Sequence, residues 1–220
     1  MTIMHHPSEE MIFDYATGAL DEAWALAIAT HLSLCPACRA AAREVEAIGG
    51  SLLEAAVPTE MADGSYEAVM ARLDFVDAMP PAEVRSITEP KPSYVLPEPL
   101  RQYAGGDVSE IRWRALGGGA AQCILSPPSS KTVARLLRIP AGRPVPEHSH
   151  RGTELTLVLA GAFADSTGHY ARGDLQEADA DLLHQPRAAE GEDCICLAVT
   201  DAPLSFRALL PRLAQRYLRI

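Results

Sequence analysis

The chain has 220 residues, 48% of them hydrophobic and 22% charged, which is typical of a folded globular protein. Its formal net charge of −10 disfavours direct binding to nucleic acid, because phosphates need a basic protein face. No apolar run is long enough to predict a membrane span, and the N-terminal residues lack the basic and apolar regions of a signal peptide.

The first 79 residues are predicted to form a small helical domain. Apolar side chains recur there at helical spacing, Asp21 suits an N-cap and Pro36 suits the first position of a helix. Two consecutive glycines, Gly49 and Gly50, disfavour a continuation of the third helix. The predicted helices cover residues 9–17, 21–34, 36 to about 48, and 65 to about 77.

Residues 80–99 hold six of the seventeen prolines and are predicted to be an extended linker. From residue 100 to 220 the pattern changes to short apolar runs interrupted by glycine and proline, which predicts an all-β sandwich or barrel. The sequence thus indicates an α+β protein of two domains, 1–79 and 100–220, joined by this linker. The clearest predicted strands cover residues 111–116, 134–139, 154–159, 194–199 and 204–209.

The five cysteines indicate metal or redox chemistry rather than a disulfide framework. An odd number of cysteines, without an export signal, is typical of reduced thiols in a cytoplasmic protein. Two of them form a Cys-x-x-Cys and two a Cys-x-Cys, while Cys123 stands alone.

The strongest motif of the helical half joins His31, Cys35 and Cys38. If the second helix runs through residue 34, His31 and Cys35 lie one turn apart on one face. Cys38 then falls in the first turn of the next helix, whose positive end favours a thiolate. Three such donors, together with a fourth, predict a tetrahedral zinc site. The alternative is that the two thiols are merely buried and that His31 lies on the surface.

The fourth donor is predicted to come from the N-terminal arm, where spacing alone does not choose between His5 and His6. The set of His6, His31, Cys35 and Cys38 resembles the zinc-binding anti-sigma domain, a four-helix unit that sequesters an extracytoplasmic-function sigma factor from core RNA polymerase. That resemblance implies His6 as the ligand. It also implies that the fourth helix contacts the sigma factor through an apolar stripe. The stripe comprises Tyr66, Val69, Met70, Leu73 and Val76, and from its pattern it is equally compatible with an ordinary core-facing helix.

A second set of donors lies in the β half. His148 and His150 are two residues apart and project to one face of a strand, Glu154 follows four residues later, and His184 is the candidate fourth ligand. This set suits zinc, manganese, iron, nickel or cobalt. Glu147 is predicted to point to the opposite face, and His169 to lie in a surface turn.

The spacing Gly-x5-His-x-His-x3-Glu-x6-Gly, from Gly142 to Gly161, resembles the first motif of the cupin (jelly-roll) barrels. The second motif is degenerate, because Asp179 and Asp181 stand where proline and glycine usually occur and Ala188 replaces the usual asparagine. A zinc anti-sigma domain followed by a cupin barrel resembles the ChrR-type anti-sigma factors.

The family resemblance implies an anti-sigma factor with zinc in both domains, whose cupin domain is required to release the sigma factor under oxidative stress (singlet oxygen or organic peroxides). Cys194 and Cys196 are candidate redox residues, although their pattern favours the simpler interpretation of two small residues buried in a β core. The main alternative is a metal-dependent cupin dioxygenase with an accessory zinc module. A zinc-finger DNA binder is disfavoured by the acidic charge.

Overall fold

The computed structural model describes residues 2–77, 94–125 and 132–206, and the side chains of 74–77 are outside this description. The chain divides into two compact units. The first comprises Met1–Ile48 with Tyr94–Ile220, and the second comprises Gly49–Ser93. The N-terminal helices and the β-rich part therefore belong to one unit, whereas the division at residues 79 and 99 stays a prediction.

Five helices are described, and the four predicted from the sequence are among them. Their bounds are α1 (Glu9–Thr17), α2 (Glu22–Leu34), α3 (Pro36–Glu54), α4 (Ser65–Asp77) and α5 (Glu98–Ala104). Helix α1 begins after Ser8, whose hydroxyl accepts a hydrogen bond from the Met11 amide, and ends at Gly18 in the left-handed conformation (φ 75°). The additional helix α5 begins at Glu98, within the segment predicted to be linker.

Helix α3 is longer than the sequence suggested, because it continues through Gly49 and Gly50 to Glu54. A glycine inside a helix costs roughly 1 kcal/mol relative to alanine, which weakens a helix without breaking it. The good helix formers that follow, Leu52 and Leu53, allow the helix to continue. The expected end near residue 48 was therefore wrong.

The β part consists of antiparallel strands in three sheets, which confirms the predicted all-β half. A six-stranded sheet has the order β1-β2-β3-β11-β5-β8, and two three-stranded sheets have the orders β10-β6-β7 and β12-β4-β9. The strands are β1 (Arg114–Gly117), β2 (Ala120–Ile124), β3 (Val133–Ile139), β4 (His148–Ser149), β5 (Glu154–Ala160), β6 (Ala162–Ala164), β7 (His169–Ala171), β8 (Leu175–Ala178), β9 (Leu183–His184), β10 (Arg187–Ala188), β11 (Cys194–Thr200) and β12 (Ser205–Phe206).

The central strands β5 and β11 of the six-stranded sheet are buried on both faces. Side chains at alternate positions of β5, such as Leu155 and Leu157, belong to one apolar cluster with Ala27 and Ile28 of α2. The intervening positions of the same strand, including Thr156, face a cavity inside the barrel. Because α2 covers the outer face of the sheet, this helix and the barrel share a hydrophobic core.

Among the described residues, no single helix has the length and apolar character needed to cross a membrane. One pair of helices, Glu22–Leu34 and Pro36–Glu54, passes that test only when joined, and the two are bent by 119° at their junction.

Candidate metal centres

The first cluster of donors forms at the sharp bend between α2 and α3. His31 lies in the last turn of α2, and Cys35 follows the helix in an extended conformation. Proline at position 36 starts α3, so that Cys38 falls in the first turn of the new helix. The bend therefore brings together three donors that are close in the sequence.

The donor atoms of this helical centre converge as a metal site requires. His31 Nε2 lies 3.3 Å from Cys38 Sγ, and His6 Nδ1 lies 3.3 Å from Cys38 Sγ and 3.5 Å from Cys35 Sγ. A tetrahedral ion with metal–nitrogen bonds of about 2.0 Å and metal–sulfur bonds of about 2.3 Å requires roughly 3.5 Å between nitrogen and sulfur. These four residues could hold a metal ion.

The structure distinguishes the two histidines of the N-terminal arm. His6 joins the helical centre, whereas the His5 ring packs against the Tyr170 ring with centroids 4.3 Å apart. Successive side chains of an extended segment point in opposite directions, which explains why only one of the pair reaches the cysteines.

Burial shifts the pKa values of two donors at the helical centre. Burial lowers the pKa of His31 to about 4, so its ring is neutral and can offer a lone pair. Burial and the neighbouring Cys35 thiol raise the pKa of Cys38 to about 12. The expectation that the start of α3 favours a thiolate stays a prediction. A cation between the two sulfurs is what would stabilise the thiolates.

The second cluster lies inside the barrel. His148 of β4 pairs with His184 of β9 across the sheet, and His150 follows two residues later. His184 Nε2 lies 3.2 Å from His148 Nε2 and 3.1 Å from His150 Nε2, and all three residues are buried. Right-angled octahedral ligands would lie about 2.9 Å apart and tetrahedral ones about 3.3 Å apart for bonds near 2.05 Å. The three histidines could hold a metal ion, and their spacing fits either geometry.

Hydrogen bonds behind the rings orient this barrel centre. His148 Nδ1 donates to the carbonyl of Pro146 at 2.8 Å, and His184 Nδ1 donates to Asp165 Oδ2 at 2.7 Å. Because these acceptors place the proton on Nδ1, both Nε2 atoms turn a lone pair toward the centre. The Nε2 atoms of His148 and His184 are therefore oriented to act as metal ligands.

Glu154 lies beside the three histidines, but its carboxylate is not among the converging atoms. Glu154 Oε2 is 3.4 Å from His150 Nδ1, and Oε1 accepts a hydrogen bond from the Thr156 hydroxyl at 2.8 Å. Burial alone would raise the pKa of Glu154, but the His150 and His148 rings outweigh it and lower that pKa. The carboxylate thus stays ionised next to the centre, and its role as a ligand stays a prediction.

Asp165 is a residue of the barrel centre that the sequence reasoning missed. Burial opposes its ionisation, but hydrogen bonds from Thr167, Gln176 and His184 lower the pKa of Asp165 to about 2. A local signal existed, because Asp165 accepts from the Thr167 amide in a turn typical of Asp-x-Thr sequences. Its contact with His184 joins residues that are 19 positions apart and is not visible in that motif.

We expect Asp165→Asn to weaken metal binding at the barrel centre by about 10- to 100-fold, the usual effect of losing a partner behind a histidine ligand. The neutral amide would no longer fix the His184 proton on Nδ1. The measurement is metal retention against a competing chelator, with Asp107→Asn as the control, since that carboxylate accepts the Val95 and Leu96 amides instead. Equal retention by Asp165→Asn and the unmutated chain would contradict this role.

A cavity of about 750 Å³ extends from the barrel centre and is lined by His148, Glu154 and His184. Cys194 and Cys196 also line it, on the same face of β11, and both are buried. The Cys194 thiol and burial raise the pKa of Cys196 well above its ordinary value, which disfavours a reactive thiolate. Their redox role stays a prediction.

The remaining predicted site residues lie on the surface. Glu147 and His169 are exposed, as expected, although His169 begins strand β7 rather than lying in a turn. In α4, Tyr66, Val69, Met70 and Leu73 are between 40% and 68% exposed, so these side chains are not core-facing. Val76 also lies in α4, but its side chain is outside the described set.

Comparison with known proteins identifies the chain. A family model described as the ChrR cupin-like domain matches residues 101–203. The chain is 49% identical to the anti-sigma-E factor ChrR of Cereibacter sphaeroides, over the full length of both proteins. The chain belongs to the ChrR family of anti-sigma factors.

A solved structure, that of Rhodobacter sphaeroides SigE in complex with the anti-sigma ChrR, contains a chain that is similar to this one, with a TM-score of 0.77 and 47% identity. The match covers 90% of this chain and 99% of that one.

Membership of the ChrR family confirms two predictions made from the sequence. The β part is a cupin barrel, and the chain is grouped with anti-sigma factors rather than with cupin enzymes. The helical and barrel portions both fall within the full-length match, so the family relationship does not depend on the barrel alone.

Proposed function

We propose that this protein is an anti-sigma factor that sequesters an extracytoplasmic-function sigma factor from core RNA polymerase in the cytoplasm. The observation that carries the proposal is the full-length similarity to a ChrR protein, together with the likeness to a ChrR chain solved in complex with SigE. The acidic net charge of −10 supports a protein partner rather than direct binding to DNA.

The helical centre is proposed to bind a structural zinc ion through His6, His31, Cys35 and Cys38. Two sulfur and two nitrogen donors are a typical closed zinc set, and they leave no position for a substrate. The bend between α2 and α3 depends on few buried side chains from α3, whose buried residues are Cys38 and Ala42. A metal ion would therefore stabilise this bend where packing contributes little.

The barrel centre is proposed to bind zinc through His148, His150 and His184, with Glu154 as a further ligand once a metal is bound. Imidazole and carboxylate donors suit several first-row metals, so the donor set favours zinc less strongly here than at the helical centre. By family resemblance, this centre registers oxidative stress, such as singlet oxygen or organic peroxides, and favours release of the sigma factor.

The apolar stripe of α4 is proposed as a contact surface for the sigma factor. Exposed apolar side chains at helical spacing are typical of a helix that binds in a partner's groove. The stripe comprises Tyr66, Val69, Met70, Leu73 and Val76, of which the first four are described and exposed.

We expect the double substitution Val69→Asp with Leu73→Asp to weaken sigma-factor binding by 100-fold or more, since charges at central apolar positions of an interface commonly cost about 2–4 kcal/mol each. Binding is measured by titration of the purified sigma factor. Ala71→Asp is the matched control, because Ala71 is exposed and lies about 160° around α4 from both substituted positions. A similar loss in the control would indicate damage to the helix rather than to the stripe.

The direct test of the proposed function is co-purification of the tagged full-length chain from its own cells. An extracytoplasmic-function sigma factor in a one-to-one ratio is the expected result. Recovery of the chain alone, or turnover of a small substrate with bound iron, would contradict it and favour the dioxygenase alternative.

A further inference from the structure

The N-terminal arm, residues 3–8, lies along the edge of the barrel before α1 begins. The Leu175 amide of β8 donates to the carbonyl of His5 at 3.1 Å, and the Ser8 amide donates to Glu177 Oε1 at 2.7 Å. The arm thus adds to β8 partly as a strand would, although it precedes this strand by about 170 residues in the chain. The barrel, and not a helix, fixes its path.

Asp174, at the start of β8, holds the arm most directly. Its Oδ1 accepts from the Met4 amide at 2.7 Å and from the His5 amide at 3.0 Å, while Oδ2 accepts from the Ala171 amide at 2.8 Å. Burial opposes ionisation, but these bonds lower the pKa of Asp174 below its usual range. A buried, ionised carboxylate that receives three backbone donors makes strong and directional bonds.

The turn before Asp174 also contacts the helical centre. Gly173 has φ 93°, and a Cβ added there would lie 2.6 Å from the Ile3 side chain of the arm. The Gly173 backbone also faces the His31 ring, where it partly offsets the effect of burial on the pKa of that histidine. The barrel therefore lies directly against His31 and against the arm that carries His6.

These contacts matter because His6 lies in the arm, outside any helix or strand. It follows His5 directly and precedes the first helix, which begins at Glu9. It is also the one exposed residue of the helical centre. The other three donors are held by the bend between α2 and α3, so the position of the arm decides whether the fourth donor reaches the metal.

We propose that Asp174 is a positioning residue of the helical metal centre. By binding the arm, this barrel carboxylate places His6 against the cysteines and sets how firmly the helical centre retains its metal. The inference rests on the zinc occupancy proposed above. It makes the barrel a direct support of the anti-sigma metal site, rather than a separate domain on a linker.

The test uses the full-length chain with Asp174→Ala and Asp174→Asn. Asp193→Asn is the matched control, because Asp193 is also a barrel carboxylate that accepts a backbone amide, from Ala141, and it pairs with Arg138. One readout is the absorption spectrum of the cobalt-substituted protein, in which cobalt–thiolate bands report on the helical centre alone. The other is the rate of zinc transfer to a chromophoric chelator. Comparison with a Cys35→Ser, Cys38→Ser variant separates zinc lost from the helical centre from zinc lost from the barrel centre.

We expect Asp174→Ala to shift the cobalt–thiolate bands and to speed zinc loss from the helical centre by about 10- to 100-fold, with a smaller effect for Asp174→Asn. Met4→Pro removes one of the two arm amides that donate to Asp174 Oδ1, and it leaves the barrel sequence unchanged. It should act in the same direction even if Asp174→Ala fails to fold.

Two outcomes would overturn the inference, and they are distinguishable. Bands and zinc-transfer rates equal to those of the unmutated chain in both Asp174→Asn and Met4→Pro would contradict the positioning role alone. Absence of cobalt–thiolate bands in the unmutated chain would instead contradict the metal assignment on which the proposed function also depends.

Discussion

Replacing both Cys35 and Cys38 with serine is expected to abolish metal binding at the helical centre and, with it, capture of the sigma factor. Serine hydroxyls are poor zinc ligands, so the site would keep only His6 and His31. Structural zinc contributes on the order of 10–16 kcal/mol to the folding of small domains, far more than the few buried side chains of α3 can replace. The measurement is a pull-down of the sigma factor by the tagged variant, with zinc determined in the same eluate.

Cys123→Ser is the matched control for that experiment. Cys123 is a half-buried thiol on β2 and lies outside both clusters of donors. It should retain full capture and the zinc content of the unmutated chain. A complex retained at full strength by the double cysteine variant would show that the metal is not needed for the fold that binds the sigma factor.

Replacing His148 and His150 with alanine is expected to leave capture intact while suppressing release of the sigma factor by singlet oxygen or organic peroxide. Both rings lie inside the barrel, whereas α2 packs on the outer face of its six-stranded sheet. Two of the three converging nitrogens would be lost. Metal affinity at this centre should therefore fall by much more than the roughly 10- to 100-fold typical of losing a hydrogen-bond partner behind a ligand.

The measurement is transcription from a promoter that depends on the sigma factor, recorded before and after oxidant. His169→Ala is the matched control, because His169 is an exposed histidine on β7 of the same barrel. It should behave as the unmutated protein does. Constitutive transcription in the His148→Ala, His150→Ala variant would instead show that the barrel metal supports capture itself.

The sequence predicted both metal clusters because most of their ligands are neighbours along the chain. His31, Cys35 and Cys38 span one helix end and the next helix start, and His148 and His150 share one face of a strand. Local periodicity determines such arrangements, so spacing alone predicted them. The bounds of α1, α2 and α4 followed for the same reason to within one residue, whereas the end of α3 did not.

The residues that position the metal ligands were not predictable, because they act through contacts between segments that are distant in the sequence. Asp174 binds an arm about 170 residues away, and Asp165 binds His184 across two sheets. The burial of α2 against the barrel also escaped prediction, since an alternating strand such as β5 usually exposes one face. The high pKa of Cys38 follows from burial, which the sequence does not show.

X-ray absorption at the zinc edge tests the central claim, that one chain holds two separate metal centres with different donors. It is measured on the full-length protein and on the His148→Ala, His150→Ala variant. We expect two zinc ions in the unmutated chain and, in the variant, one zinc bound by two sulfur and two nitrogen atoms. A zinc shell without sulfur in the variant, or a single metal per chain before mutation, would contradict the claim.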